Sequence, residues 1–390
     1  MIQKRLNYYI AFGYINKDIS LEKGHVDWID TVLLAFMKNM AEIFKVITGA
    51  LMKPLLRYLI RSLLFVILLT VTCHLSLVTI VTAAGPGTSS AAFLKLGFGA
   101  RPLAMGESYV AFADDVSALH YNPAGLAFSN NLRGQEAYNF SGAPYEMLFS
   151  HALHIQDIKM SQFGVMKRPF GMSMTYLSVG DIEGRTAETP EPENTFTASD
   201  FALGASYGRM IPDTGIGIGV TARFIRQVIG NNSAQAVSGD FGALYRFNSY
   251  PVSIGVSVCH LGTKMKFIDE GYPLPRIVRL GMATGIGKSF PANISIQADF
   301  SRDSDVVYRV GMEYLGFGPF ALRPGYTTTL SSQRKAVLGT ELGSTSSGIS
   351  ELYGLFMGVG FRVRTLNIDY ALMPYGELGN AHRFSVGMKF

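Results

Sequence analysis

The sequence predicts an all-β protein, a transmembrane antiparallel β-barrel of about 14 strands with an N-terminal plug that contains short helices. Three observations favour this fold class. Segments of about ten residues alternate apolar with polar side chains from Arg133 to Phe390, as strands with a lipid-facing and a lumen-facing side do. The 42 glycines, 26 phenylalanines and 19 tyrosines are typical of tight turns and aromatic bands. An apolar leader precedes the alternating region, as it does in exported proteins.

The apolar leader has the order of a secretory signal peptide. Basic residues from Lys53 to Arg61 precede an apolar run over residues 63–81, and small residues at 82–84 form a cleavage site. We therefore predict a signal peptide at residues 52–84. A permanent transmembrane anchor is the alternative, because the run is long enough to span a bilayer.

The residues before the leader have two explanations. Signal peptides stand at or near the N-terminus, so residues 1–51 are expected to be an upstream extension, with translation beginning at Met52. The other explanation is a cytoplasmic helix around Asp30 to Leu51. The sequence leaves both open.

The net charge of +5 is unevenly distributed along the chain. Nine of the 34 Lys and Arg, but only five of the 29 Asp and Glu, lie in residues 1–84, so the remainder is nearly neutral. A nucleic-acid-binding protein needs a concentrated basic face, which this balance does not provide. Cys259 is the only cysteine after the leader, so a processed chain forms no internal disulfide and no four-cysteine zinc site.

The stretch from Gly85 to Ala127 predicts a compact, irregular plug, which we place at residues 85–131 in front of a barrel at 132–390. Its many glycines allow close backbone approach. Within it, Pro123 disfavours a helical conformation of the preceding asparagine, and Gly125 is expected to take the left-handed conformation that ends a turn. We expect this turn to dock the plug onto the barrel wall.

Four blocks follow one another in this stretch: FLKLG at 93–97, ARPLAMG at 100–106, ADDVSAL at 113–119 and NPAGLA at 122–127. In this order they resemble the N-terminal signature of PorV/PorQ-type outer-membrane proteins, a family related to FadL-like transporters. The family has Tyr-Trp where this chain has His120-Tyr121, a mild departure. The plug-motif residues that the resemblance covers are Arg101, Met105, Gly106, Asp114, Asp115, Asn122, Pro123, Ala124 and Gly125.

The resemblance implies a non-enzymatic outer-membrane protein that acts in protein export or surface attachment, as in type IX secretion, in a Gram-negative-type bacterium. The alternative is a FadL-like channel for hydrophobic small molecules, which has the same fold. The expected partners are outer-membrane lipid, the barrel assembly machinery, and secretion-system proteins or a hydrophobic ligand. No nucleic acid is expected.

Several charged residues fall on the polar faces of the predicted strands. Because both signs are present, we expect them to pair across the lumen and to hold the plug, which favours a closed barrel over a water-filled pore. The predicted lumen charges are Asp299, Arg309, Glu313, Arg362, Arg364 and Asp369.

Two segments are polar enough to predict loops outside the membrane, Glu183 to Ser199 and Thr327 to Ser350. The last segment alternates up to a terminal phenylalanine and resembles the signal that the barrel assembly machinery recognises. An ordinary last strand that ends in phenylalanine is the alternative. The residues of the predicted assembly signal are Phe384, Val386, Met388 and Phe390.

Metal-binding motifs are not found after the leader. His151 and His154 would lie on opposite faces of a strand, and HExxH does not occur. Residues 204–208, GASYG, match GxSxG, but they lie within an alternating segment, whereas the hydrolase motif needs a turn from strand to helix. Calcium needs six or more oxygen ligands, so Asp114 and Asp115 are expected to serve as caps or hydrogen-bond acceptors in the plug. We predict no enzyme activity, no catalytic residues, no metal and no cofactor.

Overall fold

Fourteen antiparallel strands close into a barrel, as the alternation predicts. The computed structural model describes residues 88–128, 145–153, 158–185, 191–247, 249–286, 290–328, 354–374 and 380–390. All belong to one compact unit, Val81–Phe390, and the other unit, Met1–Ile80, lies outside the described residues together with the predicted leader.

Each strand pairs with its sequence neighbours, and the first strand pairs with the last. One exception is β7, which pairs with β10, because β8 and β9 form a separate two-stranded hairpin between them. The strands are β1 Glu146–Leu153, β2 Lys159–Lys167, β3 Phe170–Gly184, β4 Asn194–Ile211, β5 Ile216–Ile229, β6 Asn232–Arg246, β7 Val252–Gly262, β8 Met265–Lys266, β9 Gly271–Tyr272, β10 Ile277–Gly285, β11 Ala292–Ser301, β12 Val307–Phe317, β13 Phe320–Thr327, β14 Leu355–Val363, β15 Leu366–Pro374 and β16 Asn380–Lys389.

The two ends of the barrel differ in the length of their connections. The end that holds the start of β1 and the end of β16 has short turns, such as residues 168–169, 318–319 and 364–365. The opposite end has the longer connections, including residues 263–276 with the β8–β9 hairpin. Outer-membrane barrels have short periplasmic turns and long extracellular loops, so we name these the inner end and the outer end.

Most of the lipid-facing surface is apolar, because most of the residues that point outward are aliphatic or aromatic. On β14, Val359 is 48% exposed while its neighbour Gly360 is buried against the lumen. Aromatic rings pair at the inner end, where an interfacial girdle is expected. The paired rings are Tyr145 with Phe390, Phe170 with Tyr207, Tyr245 with Phe247, Phe290 with Tyr314, and Phe320 with Phe361.

A charge on this apolar face should destabilise the barrel according to its depth. We expect Val359→Arg, in mid-strand, to lower the free energy of unfolding by about 2–4 kcal/mol, and Val363→Arg, on the same face at the inner end, by about 0–1 kcal/mol. Folding titrations in lipid vesicles measure both. Equal effects of the two substitutions would contradict the assignment of β14 to the membrane.

We do not expect Gly358→Arg, on the lumen face of the same strand, to be tolerated better than Val359→Arg. A polar lumen would accept an arginine at this position if there were room, but a Cβ atom at Gly358 would lie 2.4 Å from the Cβ of Ala104 in the plug. The lumen is filled with protein at this level, so there is no such room.

One predicted loop is shorter than expected, because strand occupies both of its ends. β3 continues to Gly184 and β4 begins at Asn194, so the connection is residues 185–193 rather than Glu183 to Ser199. The prolines and acids of this segment predict a loop, but pairing of the two strands continues past a bulge and through Ile182 opposite Phe196. For the second predicted loop, Thr327 belongs to β13, and residues 329–350 lie outside the described residues.

Residues 88–128 lie inside the barrel and contain only short helices. Ser90 donates its amide to the Pro273 carbonyl at 2.9 Å at the outer end, while the Arg246 guanidinium lies 4.3 Å from the ring centre of Phe128 at the inner end. No helix among the described residues is both long and apolar enough to cross a bilayer. The helices are 3-10 turns at Ala92–Lys95 and Pro123–Ala127 and α-helices at Ala100–Ala104 and Ala118–Tyr121.

Candidate functional site: the contacts between plug and wall

Arg101 is the centre of the contacts between the plug and the barrel wall. Its guanidinium donates to Asp114 at 2.7 Å, to Asp115 at 2.9 Å and to the Tyr109 hydroxyl at 2.7 Å, all within the plug. It also donates twice to Glu313 on β12, at 2.8 and 2.9 Å. The Arg101 side chain is only 11% exposed. The two aspartates therefore accept hydrogen bonds inside the plug.

Glu313 extends this cluster into the wall. Arg323 on β13 donates to Glu313 at 2.9 Å and to Asp369 on β15 at 2.7 Å, and all three residues are buried. The charges thus alternate from Arg101 to Glu313, Arg323 and Asp369. Removing one partner from a buried pair leaves an uncompensated charge, which costs about 3–5 kcal/mol. We name these four residues together with Asp114 and Asp115 the lock.

Arg323 was missed in the sequence, although a signal for it was present. It stands at an alternate position of the strand FALRPGYT, between outward Leu322 and Pro324. A proline inside a strand weakens a strand assignment, so the segment was not assigned as a strand with a polar face.

Arg309 on β12 forms a second contact between the wall and the plug, at the plug turn that contains Gly106 and Glu107. It donates to Asp299 at 2.7 Å, forms an ion pair with Glu107 at 2.9 Å and donates to the Gly106 carbonyl at 3.2 Å. Gly106 has a φ of 62°, a conformation that glycine takes without strain. The buried Met105 precedes it, so this turn presents backbone to the wall.

The plug backbone approaches the wall where the strands carry inward glycines. A Cβ atom at Gly325 would lie 2.0 Å from the amide nitrogen of Gly106, and one at Gly219 would lie 2.2 Å from the carbonyl carbon of Pro123. The sequence shows these glycines but not what they face. Their regular placement on lumen-facing positions is the signal that could have identified the contact surface.

Asn122 joins the second half of the plug to the wall. Its side-chain amide donates to the carbonyl of Val110 in the plug at 2.9 Å and to that of Ala243 on β6 at 3.1 Å. Its oxygen accepts from the amide of Ala124 at 3.1 Å and caps the helix Pro123–Ala127. The backbone of Asn122 is extended, as expected for a residue before proline.

Glycine is required at position 125 for a different reason from the one predicted. It lies inside the 3-10 helix and is not among the described residues with a positive φ. A Cβ atom there would instead lie 2.0 Å from the carbonyl oxygen of Ala113. The position therefore requires glycine because two plug segments touch, not because the chain turns left-handed.

Two of the predicted lumen charges are exposed at the inner end instead of being buried in the lumen. Arg364 lies in the β14–β15 turn with a φ of 50° and is exposed, so its predicted position on a strand face was wrong. Arg362 is exposed at the inner rim and donates to Asn367 at 3.1 Å. β14 ends at Val363, so the alternation of inward and outward side chains ends one residue before Arg364.

The outer end of the plug has its own ion pair, between Lys95 and Asp303 at 2.9 Å. Burial alone would raise the pKa of Asp303, but hydrogen bonds from Lys95 and from the Ser301 hydroxyl hold it below its ordinary value. The plug is therefore attached at both ends of the lumen. In the described part of the chain, no group of three or more His, Cys, Asp or Glu is placed to hold a metal ion.

The predicted assembly signal lies on the outward face of β16. These side chains are about half exposed and point to the lipid, while the intervening Ser385 and Lys389 are buried on the lumen side. The outward residues are Phe384, Val386, Met388 and Phe390.

A protein-family model described as type IX secretion system protein PorV matches residues 83–284, more than half of the chain. The chain belongs to the PorV family. This confirms the resemblance of the four sequence blocks. It makes the protein an outer-membrane β-barrel of PorV type, which acts in protein export or surface attachment. No curated protein matches the chain.

Among solved structures, the chain is similar to the toluene transporter TbuX of Ralstonia pickettii, at 13% identity over 75% of this chain and 97% of that one, with a TM-score of 0.44. It is also similar to a TodX monoaromatic hydrocarbon channel mutant, at 13% identity, the same coverages and a TM-score of 0.47. The Acinetobacter baumannii outer membrane protein Omp33 matches at 10% identity, covering 64% of this chain and all of that one, with a TM-score of 0.36. At these scores none of them bears on the function of the PorV-family chain.

Proposed function

We propose that this PorV-family barrel acts in export with its lumen closed, as a docking component at the cell surface rather than as a conduit. The observation that carries the proposal is the lock. Arg101 joins two plug aspartates to Glu313 of the wall, and Arg323 continues the chain of charges to Asp369. A plug held in this way is suited to stay in place while cargo is bound at the outer end.

The cost of moving the plug supports this view. Withdrawing the plug would separate Arg101 from Glu313, which would stay buried in the wall with Arg323 as its ion-pair partner, at about 3–5 kcal/mol for one broken buried pair. The wall contacts at Asn122 and Gly106 would be lost at the same time. An opening of this size would need a strong external driving force.

We further propose that the protein acts without catalysis. The carboxylates of Glu313, Asp114 and Asp369 accept hydrogen bonds from arginines. A carboxylate paired in this way is suited to holding the plug rather than to transferring protons.

One observation favours the hydrophobic channel as a second candidate. In its outer half the inward face of the wall carries an apolar sector that includes Met160, Leu177 and Ile225, where a barrel lumen is usually polar. Phe93 and Leu94 of the plug pack against this sector. An apolar ligand would therefore have to displace these two side chains.

A disulfide between plug and wall distinguishes the two candidates. The amide of Ala100 donates to the Ser385 hydroxyl at 2.8 Å, so plug and wall are close enough here for Ala100→Cys and Ser385→Cys to be tested as a disulfide pair. We expect cells with the oxidised double variant to export cargo as well as cells with the wild-type protein.

The controls are each single variant and the double variant under reductant, because the native Cys259 could otherwise confuse the result. Export that stops on oxidation and returns on reduction would show that the plug must move, against our proposal. Loss of uptake of an apolar solute in the oxidised form alone would favour the channel.

A further inference from the structure

Polar side chains interrupt the lipid-facing surface on three neighbouring strands, β16, β1 and β2. His151 on β1 points outward and stands opposite Phe384 of β16 and Ser161 of β2. His382 points outward two residues from Phe384. On β11–β14 the outward positions are apolar, for example Ile296, Val310, Leu322 and Val359.

These histidines lie at membrane depth. Along a tilted strand each residue adds about 2.5 Å of depth, and the apolar band of such barrels is about 25 Å tall. Tyr145 and Phe390 stack at the inner edge of the band. His151 is six residues from Tyr145 and His382 is eight residues from Phe390. The two imidazoles are thus about 15–20 Å above the inner edge, within the band.

One of the two nitrogen atoms of each imidazole has a hydrogen-bond partner in the barrel. The Nδ1 atom of His151 is 3.0 Å from the Ser161 hydroxyl, and that of His382 is 2.8 Å from the Tyr370 hydroxyl. Within the described part of the chain, neither Nε2 atom has a hydrogen-bond partner. A polar atom in hydrocarbon without a partner is costly, and ionisable side chains at membrane depth usually pair.

We propose that the outward face of β16, β1 and β2 binds the membrane-spanning part of another protein, one that presents carboxylate groups at this depth. The face offers hydrogen-bonding imidazoles, those of His151 and His382 in the band, and the ammonium group of the exposed Lys159 above them. Carboxylates are the complementary groups, whereas lipid chains offer none. The proposal does not depend on whether the plug stays closed.

Site-specific photo-crosslinking in native outer membranes tests this interface. The probe benzoylphenylalanine replaces Phe149, which is 49% exposed two residues from His151, or, as a control, the outward Leu280 on β10 across the barrel. We expect the probe at Phe149 to give an adduct with one membrane protein, through a peptide that contains Asp or Glu. Leu280 should not give this adduct.

Substitutions of the histidines then test the chemistry. We expect His151→Leu with His382→Leu to lower the adduct yield about tenfold, the loss expected for charged hydrogen bonds. His382→Gln, which keeps a hydrogen-bonding group, should retain more of it. Phe163→Leu is the matched apolar control and should have no effect. Heat-modifiable gel mobility reports that each variant is folded.

Three outcomes would overturn the proposal. The first is adducts with lipid only, and the second is an adduct with a second copy of this chain. The third is a protein adduct that is unchanged in the folded double variant, because the imidazoles would then not recognise the partner.

Discussion

Replacing Arg101 with methionine is expected to release the plug while the barrel stays folded. Methionine retains the length of the apolar stem of arginine but lacks the guanidinium, which joins Asp114, Asp115 and Glu313. Three carboxylates would then face one another, and Glu313 would keep its ion pair with Arg323. The expected cost to plug docking is about 3–5 kcal/mol, the penalty for breaking a buried pair.

Limited proteolysis together with heat-modifiable gel mobility measures this effect. We expect faster cleavage within residues 88–128 of Arg101→Met and an unchanged mobility shift of the folded barrel. Arg362→Met is the matched control, since Arg362 is exposed at the rim and outside the lock. If Arg101→Met protected the plug as well as the wild-type chain does, the lock would not hold the plug.

Gly125→Val is expected to have an effect of similar size for a different reason. The new Cβ atom would lie 2.0 Å from the carbonyl oxygen of Ala113, and backbone atoms give way less readily than side chains. Overpacking of this kind costs about 1–3 kcal/mol and occasionally more, and we expect the upper part of that range. The strands are untouched, so the barrel should still assemble.

The same proteolysis assay reports on this variant. Gly180→Val is the control, because a Cβ atom at Gly180 in β3 has no neighbour within 4 Å. We expect cleavage within residues 88–128 to accelerate in Gly125→Val alone. Unchanged protection would mean that the turn beginning at Asn122 is a passive linker between plug and barrel.

The sequence by itself determined the fold class and the faces of the strands. Lipid and lumen differ in polarity, so a spanning strand must alternate with a period of two, and this can be seen in β11 without any partner. The inward positions of Asp299, Arg309, Glu313 and Asp369 follow from the same period. The four blocks at 93–127 likewise sufficed to indicate the family.

Only the tertiary structure decided which of these groups meet. Arg101 and Glu313 are 212 positions apart, and no local pattern relates a plug residue to one particular strand of fourteen. Strand ends are likewise fixed by pairing with a neighbour, which is why Arg364 falls in a turn. Gly125 faces Ala113 because two plug segments cross inside a closed wall. Contacts of this kind depend on register and closure, which the alternation of one strand does not encode.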